Sequence, residues 1–109
     1  MTTTQMLKAI SIVAQIRCGK AKQRLNTATL CVILALYEID KNDLPRENMT
    51  ALAHRAGIST AAITGTRDRL LAMGLVCEDE DTDRRTKFLK LTDYGFSIVG
   101  DIARAIVNI

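Results

Sequence analysis

A chain of 109 residues is one domain in length, and with 48% apolar residues it can bury a modest core without disulfide or metal staples. Fifteen Lys and Arg against twelve Asp and Glu leave a formal charge of +3, which excludes a charge-driven nucleic-acid coat protein but decides nothing about a specific binder. Cys18, Cys31 and Cys77 are odd in number, show no CxxC spacing and sit among apolar neighbours; they read as reduced thiols in a cytoplasmic compartment, not as a disulfide framework.

Over residues 4 to about 18 the apolar side chains Met6, Leu7, Ile10, Val13, Ala14 and Ile16 recur at three- and four-residue steps, with Gly19 placed as a helix terminator. The spacing predicts a first helix within 3–19. "GKAKQR" then reads as a basic connector, and Asn26 as the N-cap of a second, strongly apolar helix through Leu30, Ile33, Leu34 and Tyr37. "DKNDLPREN" holds the only proline and reads as a loop. Asn48 or Thr50 caps a short third helix of one and a half to two turns that ends at Gly57, and Ser59 caps a fourth through Met73, stopped by Gly74. The period then changes. "LVC" and "KFLKL" are short β-prone segments on either side of a polar tip, the pattern of a hairpin over 75–91. Thr92 caps a last helix, 93–109, whose Tyr94, Ile98, Val99, Ile102, Ala103, Ile106 and Val107 form a wide apolar stripe. That stripe is more than a core of this size needs, and a partner subunit is expected to cover part of it.

Residues 48–73 meet the steric demands of a helix-turn-helix. Ala53 is small enough to let a second helix cross closely, Gly57 can take the positive φ of the turn, Ile58 fills that turn, and Ile63 faces inward with Leu52 and Leu70. With Ile63 and Leu70 inward, successive steps of ~100° turn Ala61, Thr64, Gly65 and Asp68 outward. This small, polar face can approach base edges. Thr60 and Thr64 offer hydroxyls and methyls, and the helix start at Ser59 favours a phosphate. Arg67 and Arg69 flank the face, either reaching the DNA backbone or forming a solvated helix side.

The stretch "LAHRAGISTAAITGTRDRLLAMGLV", followed by "DTDRR" and "LKLTDYG", resembles the winged-helix core of the MarR family of bacterial transcription regulators. Family members read LA…G(I/V)S…(V/I)T…DRL…GLV, then DRR, then LT..G. The likeness covers about 25–95, and "LNTATLCVILALYEI" is similar to the family's second helix. It implies a mainly α fold with a small β-hairpin wing (α+β), a winged helix-turn-helix with about five helices. It also implies a homodimer on a pseudopalindromic operator, the recognition helix in the major groove and the wing tip in the adjacent minor groove. The tip is then Asp83, Arg84 and Arg85, with Asp83 paired to Arg85, and Lys87 on the descending strand joins the DNA contacts. Glu78, Asp79, Glu80 and Asp81 fall on the ascending strand and bend. There they either face solvent and discourage loose binding to phosphates, or turn the wing toward protein contacts. Three departures stand out. The basic residue usual after GLV is missing at Cys77-Glu78, and Arg67 stands at a usually apolar position, either as a DNA contact or as a core neighbour. The short chain further implies reduced terminal helices. Two Phe, two Tyr and no Trp argue against an aromatic pocket for a phenolic effector.

The resulting expectation is a single-domain transcription regulator, a repressor, that dimerises through its terminal helices. It is read as cytoplasmic, bacterial or phage-encoded, without cofactor, metal or membrane span. No Ser/His/Asp set, Cys/His pair or phosphate loop can be assembled, so it is not read as an enzyme. His54 is either a helix-surface or a satisfied core residue. Two rivals are a winged-helix module that binds protein and a thiol- or ligand-responsive switch.

Overall fold

Polar side chains that precede each apolar run cap the helices. The computed structural model describes residues 2–81 and 86–107, in the order α1 (Thr3–Gln15), β1 (Arg17–Cys18), β2 (Gln23–Arg24), α2 (Thr27–Lys41), α3 (Met49–Ala56), α4 (Thr60–Met73), β3 (Val76–Asp81), β4 (Thr86–Leu91) and α5 (Asp93–Val107). Thr2 and Gln5 close a reciprocal capping box on α1. The Asn26 carboxamide oxygen accepts from Thr29 N–H at 2.8 Å, that of Asn48 from Ala51 N–H at 2.9 Å, and Ser59 Oγ from Ala62 N–H at 3.1 Å. Asn48 is thus the cap of α3. Thr92 serves α5, its Oγ1 accepting from Gly95 N–H at 3.0 Å while donating to Gly74 O at 2.6 Å, which ties the start of α5 to the end of α4.

The core is built around α2, whose Val32, Ile33, Leu36 and Ile39 meet Leu52 and Ala53 of α3, Ile63 and Leu70 of α4, Leu89 of β4 and Ile98 of α5. Leu34, read among the apolar residues of α2, is 42% exposed. Gly57, at φ 76°, makes the left-handed turn between α3 and α4, and Ile58 N–H donates to Ala53 O at 3.0 Å across it. β3 and β4 pair antiparallel with Val76 opposite Leu91, Glu78 opposite Leu89 and Glu80 opposite Lys87. The strands are longer than "LVC" and "KFLKL" suggest: all four acidic residues, 78–81, belong to β3.

The first helix differs from expectation. It stops at Gln15, and Ile16 is already extended at φ −67°, ψ 129°. Gly19 is therefore no helix terminator but part of the turn of a small antiparallel hairpin, with Arg17 opposite Arg24 and Cys18 opposite Gln23. Tertiary contact explains the early stop. The extended segment buries Cys18, Gly19 N–H donates to the Tyr94 hydroxyl at 2.9 Å, and a Cβ on Gly19 would lie 3.2 Å from Met73 Cα. "GKAKQR" is this hairpin's turn and second strand, not a free connector.

Candidate nucleic-acid interface

Helix α4 presents two chemically distinct sides. Ile63, Thr66, Leu70 and Met73 are buried, and the one polar member is satisfied within the helix, Thr66 Oγ1 donating to Ala62 O at 2.9 Å. Thr60, Ala61, Thr64, Gly65, Asp68 and Arg69 are exposed, as is the capping Ser59. A Cβ built on Gly65 meets nothing within 4 Å, so this glycine leaves open space on the surface and fills no gap in the packing. The first N–H groups of α4 lack partners within the helix except where Ser59 supplies one, and the helix dipole adds partial positive charge there.

The wing approaches the far half of the same helix. Directly opposed residues of an antiparallel pair share a face, so Val76 and Leu91, then Glu78 and Leu89, then Glu80 and Lys87 line one side of the hairpin. That side is buried at Val76, Leu89 and Leu91 and becomes charged beyond them. There Glu78 meets two cations: its Oε1 lies 4.0 Å from Arg67 Nε and its Oε2 lies 4.0 Å from Lys87 Nζ. Arg67 also donates from Nε and Nη2 to Asp68 Oδ1, at 3.2 and 3.1 Å. Four residues, Arg67, Asp68, Glu78 and Lys87, therefore form one cluster of zero net charge. Arg67 is partly buried, its side chain 32% exposed and paired with the carboxylates of Asp68 and Glu78. Glu78 is the participant that reading the sequence missed; the only signal for it is that two departures from the family pattern, at 67 and 78, are both charged and of opposite sign.

Among the described residues Arg69 is the exposed cation of α4 without an ion pair. Asp83, Arg84 and Arg85 lie outside the described residues. His54 is exposed, which decides for the helix surface. No group of three or more His, Cys, Asp or Glu among the described residues could hold a metal ion, and no helix there is long and apolar enough to cross a membrane.

At the other end of the molecule α1 buries none of its residues. Met6, Leu7 and Ile10 are exposed on it, Leu7 by 62% and Ile10 by 65%, as is Val107 at the end of α5. An aliphatic groove of about 270 Å³ runs between Ile10 and Val13 of α1, Leu25 and Leu30, and Ile106 of α5, with no aromatic residue in its lining.

No protein-family model matches this sequence, and no curated protein does. Solved structures do match it. The chain superposes on NadR, solved in complex with 4-hydroxyphenylacetate, with a TM-score of 0.72 and 25% identity over 94% of this chain and 65% of that one. Against the PcaV transcriptional regulator from Streptomyces coelicolor, in complex with its natural ligand, the TM-score is 0.66 at 19% identity, covering 96% and 70% of the two chains. Against the transcriptional repressor CouR bound to a 23-mer DNA duplex it is 0.66 at 21% identity, covering 95% and 66%; CouR comes from Rhodococcus jostii RHA1. The chain thus spans about two thirds of the length of these neighbours, which are transcription regulators of the MarR family and not enzymes. With five helices, a two-stranded hairpin after the helix-turn-helix and the residues that first suggested the likeness, the chain is in fold a MarR-type winged helix-turn-helix protein.

Proposed function

We propose that this chain is a sequence-specific, double-stranded-DNA-binding transcription regulator, a repressor that acts as a homodimer on a pseudopalindromic operator. The observation that carries the reading is the outer face of α4. Thr64 and Gly65 stand exposed over open space on a helix whose opposite side is locked into the core. A face without bulk lets base edges come close, and the Thr60 and Thr64 hydroxyls offer both donor and acceptor. Ser59, at the positive end of α4, receives a phosphate. Arg69 reaches the backbone, and the tip residues Asp83, Arg84 and Arg85 enter the minor groove, with Asp83 orienting Arg85.

The exposed apolar side chains of the terminal helices support dimerisation. In this reading a second copy covers the exposed apolar side of α1 and the groove beside it, and the two recognition helices of the pair read half-sites about one helical turn of DNA apart, as dimeric helix-turn-helix proteins do. The aliphatic lining of that groove gives a phenolic effector no aromatic surface to stack on. Selection of bound duplexes from a random DNA pool tests the whole reading. Enrichment of a two-fold symmetric site is the expected result. No enrichment, with the protein folded, would overturn it in favour of the protein-binding module.

A further inference from the structure

Two cations expected to grip DNA are already held by carboxylates. Arg67 lies between Asp68 and Glu78, and Glu78 also faces Lys87, so the recognition helix and the wing meet through a cluster with no net charge. Glu78 is its centre, the one carboxylate that faces both cations. Its position is set by the strand: two residues beyond buried Val76 on the same face of β3, it is the first side chain past the core and points toward α4.

We propose that Glu78 is a specificity-determining residue that competes with DNA phosphate for Arg67 and Lys87. The inference rests on the DNA-binding reading above and deepens it. Binding without sequence preference is almost wholly electrostatic, each phosphate neutralised adding a counterion-release contribution. On an unrelated duplex nothing fixes the register, so free cations settle on whichever phosphates suit them. On the operator the base contacts of α4 fix the register, and the same cations must take the phosphates they are offered. Neutralising Arg67 and Lys87 internally therefore costs more on unrelated DNA than on the operator. The ion pairs are partly exposed and weak, which suits a competitor that must yield.

The substitution E78Q keeps the shape of the side chain and removes its charge. The probes are a duplex selected from a random pool by the wild-type protein and a scrambled duplex of equal length and composition, titrated over a series of salt concentrations. Affinity of E78Q for the scrambled duplex is expected to rise about tenfold near 0.1 M salt, as one additional phosphate contact gives, with a log–log salt slope steeper by about one. The rise on the selected duplex is expected to be smaller, so that the ratio between the two falls. R67A/E78Q returns the cluster to zero net charge and should lose most of the gain, whereas R67A in the wild-type background leaves two carboxylates against Lys87 alone and should weaken scrambled-duplex binding. Equal or weaker binding by E78Q with an unchanged slope overturns the inference while leaving the DNA reading intact. Failure of both proteins to bind any duplex at low salt overturns both.

Discussion

Gly65 and Gly95 show how much a single absent Cβ can differ in meaning. At Gly65, exposed on α4, added atoms meet nothing; at Gly95, buried near the start of α5, a Cβ would stand 2.2 Å from Leu75 O and 3.0 Å from Leu91 Cδ2. Helix propensity favours Ala over Gly by ~1 kcal/mol at either place. Only at Gly65 is that gain free of cost. Gly65→Ala is thus expected to raise stability by up to about 1 kcal/mol, and Gly65→Leu to keep the fold while abolishing specific DNA binding, because the larger side chain fills the space that the proposed function assigns to base edges. Gly95→Ala must push a strand-end carbonyl aside and is expected to destabilise by about 1–3 kcal/mol or more. Thermal melts of the three variants, with a DNA titration of the two at position 65, check this. Collapse of Gly65→Leu on heating would mean that the outer face of α4 packs against something.

At the scale of elements, what could be read from sequence was what local chemistry decides. Asn26, Asn48, Ser59 and Thr92 cap helices because a short polar side chain can reach an unpaired N–H, whatever else surrounds it. Gly57 and Gly74 end helices because they adopt positive φ cheaply. The outward face of α4 follows from periodicity alone. Where distant parts decide, the reading failed. Nothing local stops α1 at Gln15; the stop depends on Met73 and Tyr94, which receive Gly19. The same holds for Arg67 and Glu78, whose approach requires the lean of the wing on α4, and for the stripe of α5, which splits into a buried part at Ile98, Val99 and Ile102 and an exposed end at Val107. The β1–β2 hairpin has its own consequence. It buries Cys18, and burial first, then the Asp101 carboxylate, pushes that thiol up from its ordinary value of 9.0. In the unfolded chain the thiol ionises at lower pH than in the folded one, so above about pH 9 the unfolded state binds fewer protons and gains relative stability. This contribution is complete below the unfolded value and is lost as pH rises toward the folded one. Denaturant titrations are expected to show stability falling with pH in the alkaline range, and Cys18→Ala to flatten that fall. An identical slope in the variant would place the cause elsewhere.

The whole molecule is longer than its residue count requires, 47 × 29 × 26 Å with a radius of gyration of 14.3 Å, against about 13 Å for a compact chain of this length. The excess is consistent with α1, which lies against α5 without burying a single residue. A helix of 13 residues held so lightly is marginal in water, and an apolar face formed by Met6, Leu7 and Ile10 gains only if something covers it. A second copy fits, since a two-fold axis brings the same patch on each subunit together and uses every side chain twice. Covering one side chain of this kind contributes about 1.5–3 kcal/mol. In L7D/I10D four such contributions vanish from the dimer and four charges enter its interface, so the dimer dissociation constant is expected to rise by about ten-thousandfold or more, each 1.4 kcal/mol being tenfold. The core formed by α2 to α5 does not depend on these two residues, so the variant should remain folded as a species of 12.0 kDa, while the wild-type protein sediments at twice that mass at micromolar concentration. Operator affinity should fall with the dimer, because one recognition helix reads only half a symmetric site. Wild-type protein that sediments solely at 12.0 kDa would leave the exposed face of α1 without its partner and would remove the two-fold operator from the account.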